Sequence, residues 1–273
     1  MRILILIIAS RNEVNESDRL SQIESWAARN SEAVSILWLR GWEESRYLLE
    51  ERDLFVPCSE EYSKILEKSV LGMNFILEHF DFDIVVRSNV STYFDLKSLE
   101  KELSRNQYQL DFYGGYVDKT KGSYFGTSIP YEYLSGTGIF MSRSYAKILA
   151  SLRWQDFIGI PDDVAISEFF RRKHLRRVRM KRNNLSSTHI FLPTFHIRTK
   201  SSTDSTLAGK RMFLLKEFFK TQNFLKRIRI YFAIQKLELS ALINHPESIK
   251  MYFLRNRVVA SNYVKVKLGR ILM

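Results

Sequence analysis

A run of seven consecutive apolar residues near the start of the chain, Ile3–Ala9, constrains the fold more than any other feature. It is far shorter than the ~20 residues that cross a bilayer. It also runs directly into the polar stretch at Arg11 without the small-residue cleavage motif of a secretory signal. Strands of parallel sheets are buried on both faces and therefore have continuous apolar sequences. We therefore predict a buried strand here rather than a signal segment, and a cytoplasmic protein.

Further strand-like and helix-like segments follow this run in alternation. The predicted strands are Ser35–Leu39, Ile84–Val86, Phe112–Val117 and Gly138–Met141. The predicted helices have apolar residues at helical spacing, and they are Asp18–Arg29, Glu60–Phe80, Leu96–Leu103, Ser144–Leu152 and Val164–His174. This alternation predicts an α/β fold with a mostly parallel sheet flanked by helices. Because ligands bind at the carboxyl ends of such strands, we expect the site at the loops after Ala9, Leu39 and Val86.

Composition narrows the class of protein further. Hydrophobic residues make up 45% of the 273 residues, which is enough for a substantial core and excludes a disordered chain. The single cysteine, Cys58, excludes a disulfide scaffold and a multi-cysteine zinc site. One free cysteine is also consistent with a reducing, cytoplasmic compartment.

Charge is divided unevenly along the chain. The formal net charge is +12, but residues 1–168 carry −8 and residues 169–273 carry +20. Residues 171–182 include eight Lys or Arg, and residues 210–239 mix apolar and basic side chains without Gly or Pro. The second pattern is typical of basic amphipathic helices. We therefore divide the chain into an α/β domain, residues 1–204, and a basic amphipathic helical region, residues 205–273.

A basic region of this kind indicates an anionic partner. Helices that interleave Phe, Leu and Ile with Lys and Arg are typical of membrane interfaces. Residues 171–182 and 205–273 are therefore the expected contact with an anionic membrane, as in a peripheral protein on its inner face. The same aromatic residues could instead pack on the α/β domain. Nucleic acid is disfavoured because the chain has no zinc-finger, helix-turn-helix or RNP-type motif.

Four segments in order resemble glycosyltransferase family 31, the β-1,3-galactosyltransferase and fringe group. They are Asp53–Lys68, Phe82–Phe94, Tyr133–Ser142 and Pro161–Val164, and the resemblance covers roughly residues 1–200. It implies a GT-A fold, a nucleotide-sugar donor (UDP rather than GDP) and transfer with inversion. The implied acceptor is a hydroxyl of a surface glycan or glycolipid.

The aspartate pair Asp162-Asp163 matches the catalytic element of that family. An inverting transfer needs a base that deprotonates the attacking hydroxyl. Two adjacent carboxylates repel each other, which raises the pKa of one of them toward a useful range. By position Asp163 matches the base of the family, with Asp162 beside it. The alternative is an ordinary acidic pair at a helix N-terminus.

The metal motif of the family is where this chain departs from the pattern. Its Asp-rich triplet aligns with Asn89-Val90-Ser91, which has no carboxylate. Mn²⁺ and Mg²⁺ prefer charged oxygen ligands, so Asn89, Ser91 and His196 are weak candidates for a metal site. Either cations replace the metal, or transferase activity has been lost. The candidate cations are Lys68, Arg87, His196, Arg198 and Lys200.

The remaining positions expected around the donor lie in short loops and a small-residue segment. The loop after the first strand meets the nucleotide in GT-A enzymes, and small residues allow close approach of backbone to a sugar. These positions are Ser10, Arg11, Asp53, Ser88, Gly136, Thr137 and Gly138. Some of the candidate positions also have a structural interpretation. Arg11 could equally be a solvated loop residue, and the small-residue segment Ser135–Gly138 could be a tight turn. His196 could be a structural histidine.

Two other functions remain compatible with the sequence. A GT-A-like protein without turnover could bind a nucleotide or sugar, as the missing carboxylates suggest. A basic membrane- or nucleic-acid-binding module is the second alternative, and in that case the resemblance would be accidental.

Overall fold

The fold is a central sheet with helices on both faces, which confirms the predicted α/β class. The structure, a computed structural model, describes residues 1–28, 31–105, 111–120, 124–126, 130–180, 183–184, 196–198, 214–218, 220–221 and 223–243. The strands are β1 Ile3–Ile8, β2 Val34–Trp42, β3 Leu48–Glu50, β4 Asp53–Pro57, β5 Ile84–Asn89, β6 Thr92–Phe94, β7 Tyr113–Lys119, β8 Glu132–Ser142, β9 Arg177–Arg179, β10 Asn183–Asn184 and β11 His196–Arg198. The helices are α1 Glu13–Glu24, α2 Ile65–His79, α3 Leu96–Leu103, α4 Arg143–Ala150, α5 Asp162–Arg172 and α6 Phe224–Ile243.

Eight of these strands form the main sheet in the order β3-β4-β2-β1-β5-β8-β7-β9. Strands β4, β2, β1 and β5 run parallel, as does the pair β7 and β9, so most of the strand pairs are parallel. The pairs β3–β4, β5–β8 and β7–β8 are antiparallel. The strand order changes direction between β1 and β5, and this is the crevice where ligands bind in open α/β sheets.

Alternate residues of β1 supply two separate cores, because successive side chains of a strand point to opposite faces. Ile3, Ile5 and Ile7 pack on the face that carries α3, and Leu4 and Leu6 pack on the face that carries α2, α4 and α5. All five side chains are buried. The buried strand predicted from Ile3–Ala9 is therefore confirmed, with both faces covered.

Several predicted element boundaries are wrong, and two of these differences bear on the site. Helix α1 begins at Glu13 rather than Asp18, because the Asn12 side chain accepts a hydrogen bond from the Asn15 amide at 2.9 Å and caps the helix. The small-residue segment Ser135–Gly138 is not a loop, since it lies inside β8 between β5 and β7. Strand β7 approaches this segment closely at Gly115, where an added Cβ would stand 2.5 Å from the Gly138 carbonyl oxygen.

A three-stranded sheet, β10-β11-β6, lies beside the crevice. Strand β11 runs antiparallel to β6, with His196 opposite Phe94 and Arg198 opposite Thr92. Thr92 belongs to the segment that follows β5. The register therefore brings the backbone of the late basic segment to the end of β5, although its sequence position is about a hundred residues away.

The C-terminal region includes a helical turn at 214–218 and helix α6. Leu215, Phe218, Ile230 and Ile234 are buried in the same core cluster as the odd-numbered residues of β1. The division of the chain at residue 204 stays a prediction, as does a membrane contact. Among the described residues, no helix combines the length and the apolar character that crossing a membrane requires.

Candidate functional site

The predicted site residues converge at the carboxyl ends of β1 and β5. Strand β8 runs antiparallel to β5, so its small-residue segment starts where β5 ends. Helix α5 begins against that segment with its two aspartates. The structure thus brings together four predicted residues from three separate motifs, namely Arg87, Gly136, Asp162 and Asp163.

Arg87 connects these three elements. Its side chain is 3% exposed, forms an ion pair with Asp162, and donates a hydrogen bond from Nη1 to the Gly136 carbonyl oxygen at 2.8 Å. Asp162 is also largely buried, at 11% exposed. An ion pair with so little solvent interacts strongly and leaves a costly unpaired charge if either partner is lost. Arg87 therefore positions the start of α5 through Asp162.

Asp163 is held by backbone donors rather than by a cation. Its Oδ2 accepts from the Gly136 amide at 3.0 Å and its Oδ1 accepts from the Val164 amide at 2.9 Å. Burial raises the pKa of Asp163 to about 6, and the negative charge of Asp162 adds to the effect. A carboxylate with a pKa near 6 is ionised at neutral pH and is a much stronger base than an ordinary aspartate.

Gly136 is required for this arrangement because no side chain fits at its position. An added Cβ would lie 2.6 Å from Nη1 of Arg87 and 3.4 Å from Oδ2 of Asp163. The glycine thus allows the Asp163 carboxylate and the Arg87 guanidinium to reach the same segment of β8. Backbone approach of this kind was expected for the donor sugar, whereas the contacts present here are with Arg87 and Asp163.

The Asn89–Ser91 segment makes contacts within the protein. Oδ1 of Asn89 accepts from Oγ of Ser91 and from Oγ1 of Thr92, both at 3.0 Å. Ser88 and Thr92 donate to the Thr137 carbonyl oxygen at 2.7 and 3.0 Å, which ties this turn to β8. Gly138 lies next along the same strand.

These residues do not fit a hard divalent cation. The oxygens at the aligned metal motif are neutral, and that of Asn89 already accepts two hydrogen bonds. Among the described residues, no group of three or more His, Cys, Asp or Glu could hold a metal ion. Mn²⁺ and Mg²⁺ bind through charged oxygens at such sites, and the Asn89–Ser91 segment offers none.

Lys68 lies at the end of β1 as a buried cation. Its side chain is 1% exposed, and Nζ donates to the Ala9 carbonyl oxygen at 3.2 Å and to Oε2 of Glu60 at 2.5 Å. Glu60 also accepts from the Gly41 amide at 2.8 Å, so the pair joins α2 to the ends of β1 and β2. An ammonium has three donors, which leaves one for a ligand beyond these two hydrogen bonds.

The positions expected on the nucleotide side form a second group. Asp53 forms ion pairs with Arg40, whose Nε lies 3.0 Å from Oδ1, and with Arg19, whose Nη1 lies 3.4 Å from Oδ2. Arg11 is exposed, and its guanidinium carbon lies 5.3 Å from the centre of the Phe55 ring in β4. Ser10 precedes it and accepts from Asn12 at 2.9 Å. Asp53 is thus engaged within the protein, whereas Arg11 is exposed and lies over a ring of β4.

The late basic segment is described in part. The backbone of His196 and Arg198 lies in β11, opposite β6, which places it next to the turn after β5. The side chains of His196 and Arg198, and all of Lys200, lie outside the described residues.

Sequence reasoning missed three residues around this site. Tyr62 is 76% exposed beside the aspartate pair, and partial burial together with the charges of Asp162 and Asp163 raises its pKa. Gln22 is buried on α1 and donates to the Thr92 carbonyl oxygen at 3.1 Å, while its own oxygen accepts from Trp38 at 2.9 Å. Glu60 is the partner of Lys68. Glu60 and Tyr62 both lie in the Asp53–Lys68 segment of the family resemblance, which was the signal that could have found them.

Comparison with known proteins gave similarities in structure at low sequence identity. No protein-family model and no curated protein matches the sequence. A glycosyltransferase involved in the glycosylation of the major capsid of PBCV-1 is 12% identical over 78% of this chain and 100% of that chain, with a TM-score of 0.46. The glycosyltransferase GlyE of Streptococcus pneumoniae TIGR4 is 13% identical over 82% of this chain and 67% of that chain, with a TM-score of 0.43. A197 from STIV is 13% identical over 66% of this chain and 82% of that chain, with a TM-score of 0.37.

Proposed function

We propose that this protein is an inverting glycosyltransferase of the GT-A fold that uses a nucleotide-diphosphate sugar, with UDP as the expected nucleotide. The observation that carries the proposal is Asp163. Its carboxylate is fixed by two backbone amides, has a pKa raised to about 6, and lies at the carboxyl edge of a parallel sheet beside its direction change. Residues from three segments of the family 31 resemblance, Phe82–Phe94, Tyr133–Ser142 and Pro161–Val164, are in contact here, which supports the proposal.

In the proposed reaction, Asp163 accepts the proton of an acceptor hydroxyl. The hydroxyl oxygen forms a bond to the anomeric carbon as the bond from that carbon to the diphosphate oxygen breaks. The electron pair leaves with the nucleoside diphosphate, and attack from the opposite face inverts the anomeric centre. Because the pKa of Asp163 is close to 6, the base is ionised at neutral pH and still basic enough to take the proton.

Protein cations would stabilise the charge that develops on the leaving diphosphate. Lys68 lies at the end of β1, and its Nζ has one donor beyond the hydrogen bonds to Ala9 and Glu60. The backbone of Arg198 lies opposite Thr92, next to the end of β5. Arg87 supports the reaction by positioning Asp162 and Gly136. Cations and dipoles arranged in advance stabilise charge with little reorganisation, so a resident metal is not required.

The acceptor is proposed to be a sugar hydroxyl of a surface glycan or glycolipid. Tyr62 supports this choice, because its ring is exposed next to the carboxylate pair. Tyr and Trp rings present an apolar face with a polar edge, which suits contact with a sugar ring. A hydroxyl bound against this ring would be close to Asp163.

The proposal is tested with purified protein against a panel of nucleotide sugars. A thermal-shift screen identifies the donor, because a ligand that binds the folded state raises its stability by mass action. Donor hydrolysis and transfer are then measured for the wild type and Asp163→Asn, each with and without EDTA. We expect Asp163→Asn to lower kcat by about 10² to 10⁴, and EDTA to leave the rate unchanged.

Asp156→Asn is the matched control, since Asp156 is an exposed aspartate just upstream of α5. Equal turnover by the wild type and Asp163→Asn would remove Asp163 as the base. Loss of turnover in EDTA, restored by Mn²⁺, would overturn the proposed replacement of the metal by protein cations.

A binding protein without turnover is the second candidate. The observation in its favour is the Asn89–Ser91 turn, whose polar atoms hydrogen-bond to one another where the family has carboxylates. Calorimetry separates the two candidates. Nucleotide-sugar affinity without product, for any acceptor tested, would favour the binding protein.

A further inference from the structure

The outward face of helix α6 combines exposed apolar and basic side chains. Leu225 is 67% exposed and Phe232 is 65% exposed, and Arg229 between them is exposed as well. Residues spaced by three, four and seven positions share one face of a helix, so Leu225, Ile228, Arg229 and Phe232 form a single strip. We call these four residues the outer strip.

The opposite face of the same helix is anchored in the protein core. Ile230 is 9% exposed and Ile234 is fully buried, and both belong to the core cluster that includes β1 and β5. Arg227 lies over the Phe218 ring at 5.6 Å and donates to the Thr221 carbonyl oxygen at 2.7 Å. The helix is thus held by one face, and in the outer strip Leu225, Arg229 and Phe232 are exposed while Ile228 is half-buried.

The charge around the outer strip is positive. Residues 214–234 include Lys216, Lys220, Lys226, Arg227 and Arg229, with Glu217 as their single acidic residue. Lys220, just before α6, and Lys226, within it, are exposed, and Lys226 pairs with Glu217 at 3.6 Å. A helix face that presents large apolar side chains flanked by cations complements an anionic lipid surface, where the apolar groups enter the acyl boundary and the cations meet the headgroups.

The other basic segment of the chain is less suited to this role. Arg171 and Arg172 pair with the buried Glu168, and Arg179 pairs with Glu132. The apolar residues that alternate with these cations, Leu175, Val178 and Met180, are half-buried or buried. Much of the charge is therefore neutralised within the protein, and no large apolar side chain of residues 171–180 stands exposed for insertion.

We propose that the outer strip of α6 docks the protein on an anionic membrane surface, with Leu225 and Phe232 inserted and Lys220, Lys226 and Arg229 against lipid headgroups. The proposal does not depend on glycosyl transfer. It requires only that α6 stays packed through Ile230 and Ile234 while its outer face meets the lipid.

Vesicle flotation of the full chain tests this proposal. Phosphatidylcholine vesicles with and without phosphatidylglycerol are compared at low and high salt, for the wild type and for Leu225→Ser/Phe232→Ser. We expect the wild type to float with the anionic vesicles at low salt, and the double variant to bind at least about tenfold more weakly. Arg229→Glu should lose binding to the anionic vesicles alone, because it changes charge without removing apolar surface.

Ile158→Ser is the matched control, since Ile158 is 84% exposed but lies outside α6. It should float like the wild type, and all variants should keep the thermal unfolding midpoint of the wild type. Binding that survives in Leu225→Ser/Phe232→Ser, or is lost in Ile158→Ser, would overturn the assignment to the outer strip. Three other outcomes would overturn the proposal that the partner is lipid. The first is wild-type protein that does not float, and the second is binding of duplex DNA through this face. The third is sedimentation as a dimer only while Leu225 and Phe232 are intact.

Discussion

Two adjacent aspartates at the start of α5 have different partners, and this difference gives them different roles. Asp162 forms an ion pair with the buried Arg87, so its charge is compensated. Asp163 has backbone amides as partners, and its pKa is raised to about 6 by burial and by the charge of Asp162. Pairs of carboxylates in unequal environments are a common way to obtain a base that works at neutral pH.

The raised pKa of Asp163 makes stability depend on pH. The folded state binds this proton more tightly than the unfolded chain, whose aspartates titrate near 3.8. The protonated Asp163 therefore adds up to about 3 kcal/mol to the free energy of unfolding. This stabilisation is fully present below about pH 4 and is lost as pH rises through about 6. Urea unfolding of the wild type and Asp163→Asn across this range measures it. The gap between their unfolding free energies should change by this amount, and a constant gap would contradict the assigned pKa.

A second prediction at the residue scale concerns Gly136. Gly136→Ala forces a Cβ to within 2.6 Å of the buried Arg87 guanidinium, so we expect a loss of about 1–3 kcal/mol in unfolding free energy. Transfer activity should fall as well, because the contact of Asp163 with β8 is displaced. Gly126→Ala is the control. It meets no atom within 4 Å, and its positive φ of 73° costs about 1 kcal/mol without altering the carboxylates.

At the scale of elements, Arg87 and Asp162 join β5 to α5. Arg87→Ala and Asp162→Ala should each cost about 3–5 kcal/mol, because each leaves a buried charge without its partner. The double variant removes both charges and should cost clearly less than the two single losses together. Denaturant unfolding of the four proteins gives the coupling energy. Additive losses would show that the pair does not connect these elements energetically.

The identity of most elements follows from local pattern, whereas their ends follow from particular contacts. The apolar run of β1 and the helical spacing in α2 predict those elements correctly, since the periodicity lies within each segment. The start of α1 depends on the Asn12 cap, which the apolar spacing does not reveal. Ser135–Gly138 has the composition of a turn, yet it lies within β8, because the residues on either side of it are paired: Ile139–Ser142 with β5, and Glu132–Leu134 with β7.

At the scale of the whole molecule, the C-terminal region completes a core that begins with β1. Ile234 is fully buried, so Ile234→Ala should lower the unfolding free energy by about 2–4 kcal/mol in a single cooperative transition. Phe232→Ala, two positions away on the outer strip and 65% exposed, should change it by less than about 0.5 kcal/mol. Thermal and urea unfolding measure both. A separate early transition for α6, or equal effects of the two variants, would contradict its packing on the α/β core.

The candidate site shows how far the sequence leads at this scale. Asp163, Gly136 and Arg87 were all expected near a ligand, and they are in contact with one another. The sequence did not indicate that Arg87 and Lys68 are buried and engaged with protein partners. It also did not pair Lys68 with Glu60 or place Tyr62 beside the aspartates, because these contacts depend on how α2 meets the sheet edge.

The sequence by itself determined the α/β class, the buried first strand, the separation of an acidic body from a basic C-terminal region, and the absence of carboxylates from Asn89–Ser91. Tertiary structure alone decided which charges are compensated, which aspartate is basic, and which face of α6 is exposed. The physical reason is the range of the interactions. Periodicity and composition act between near neighbours, whereas Arg87 meets Gly136 and Asp162 from 49 and 75 residues away, and only the packed sheet brings them together.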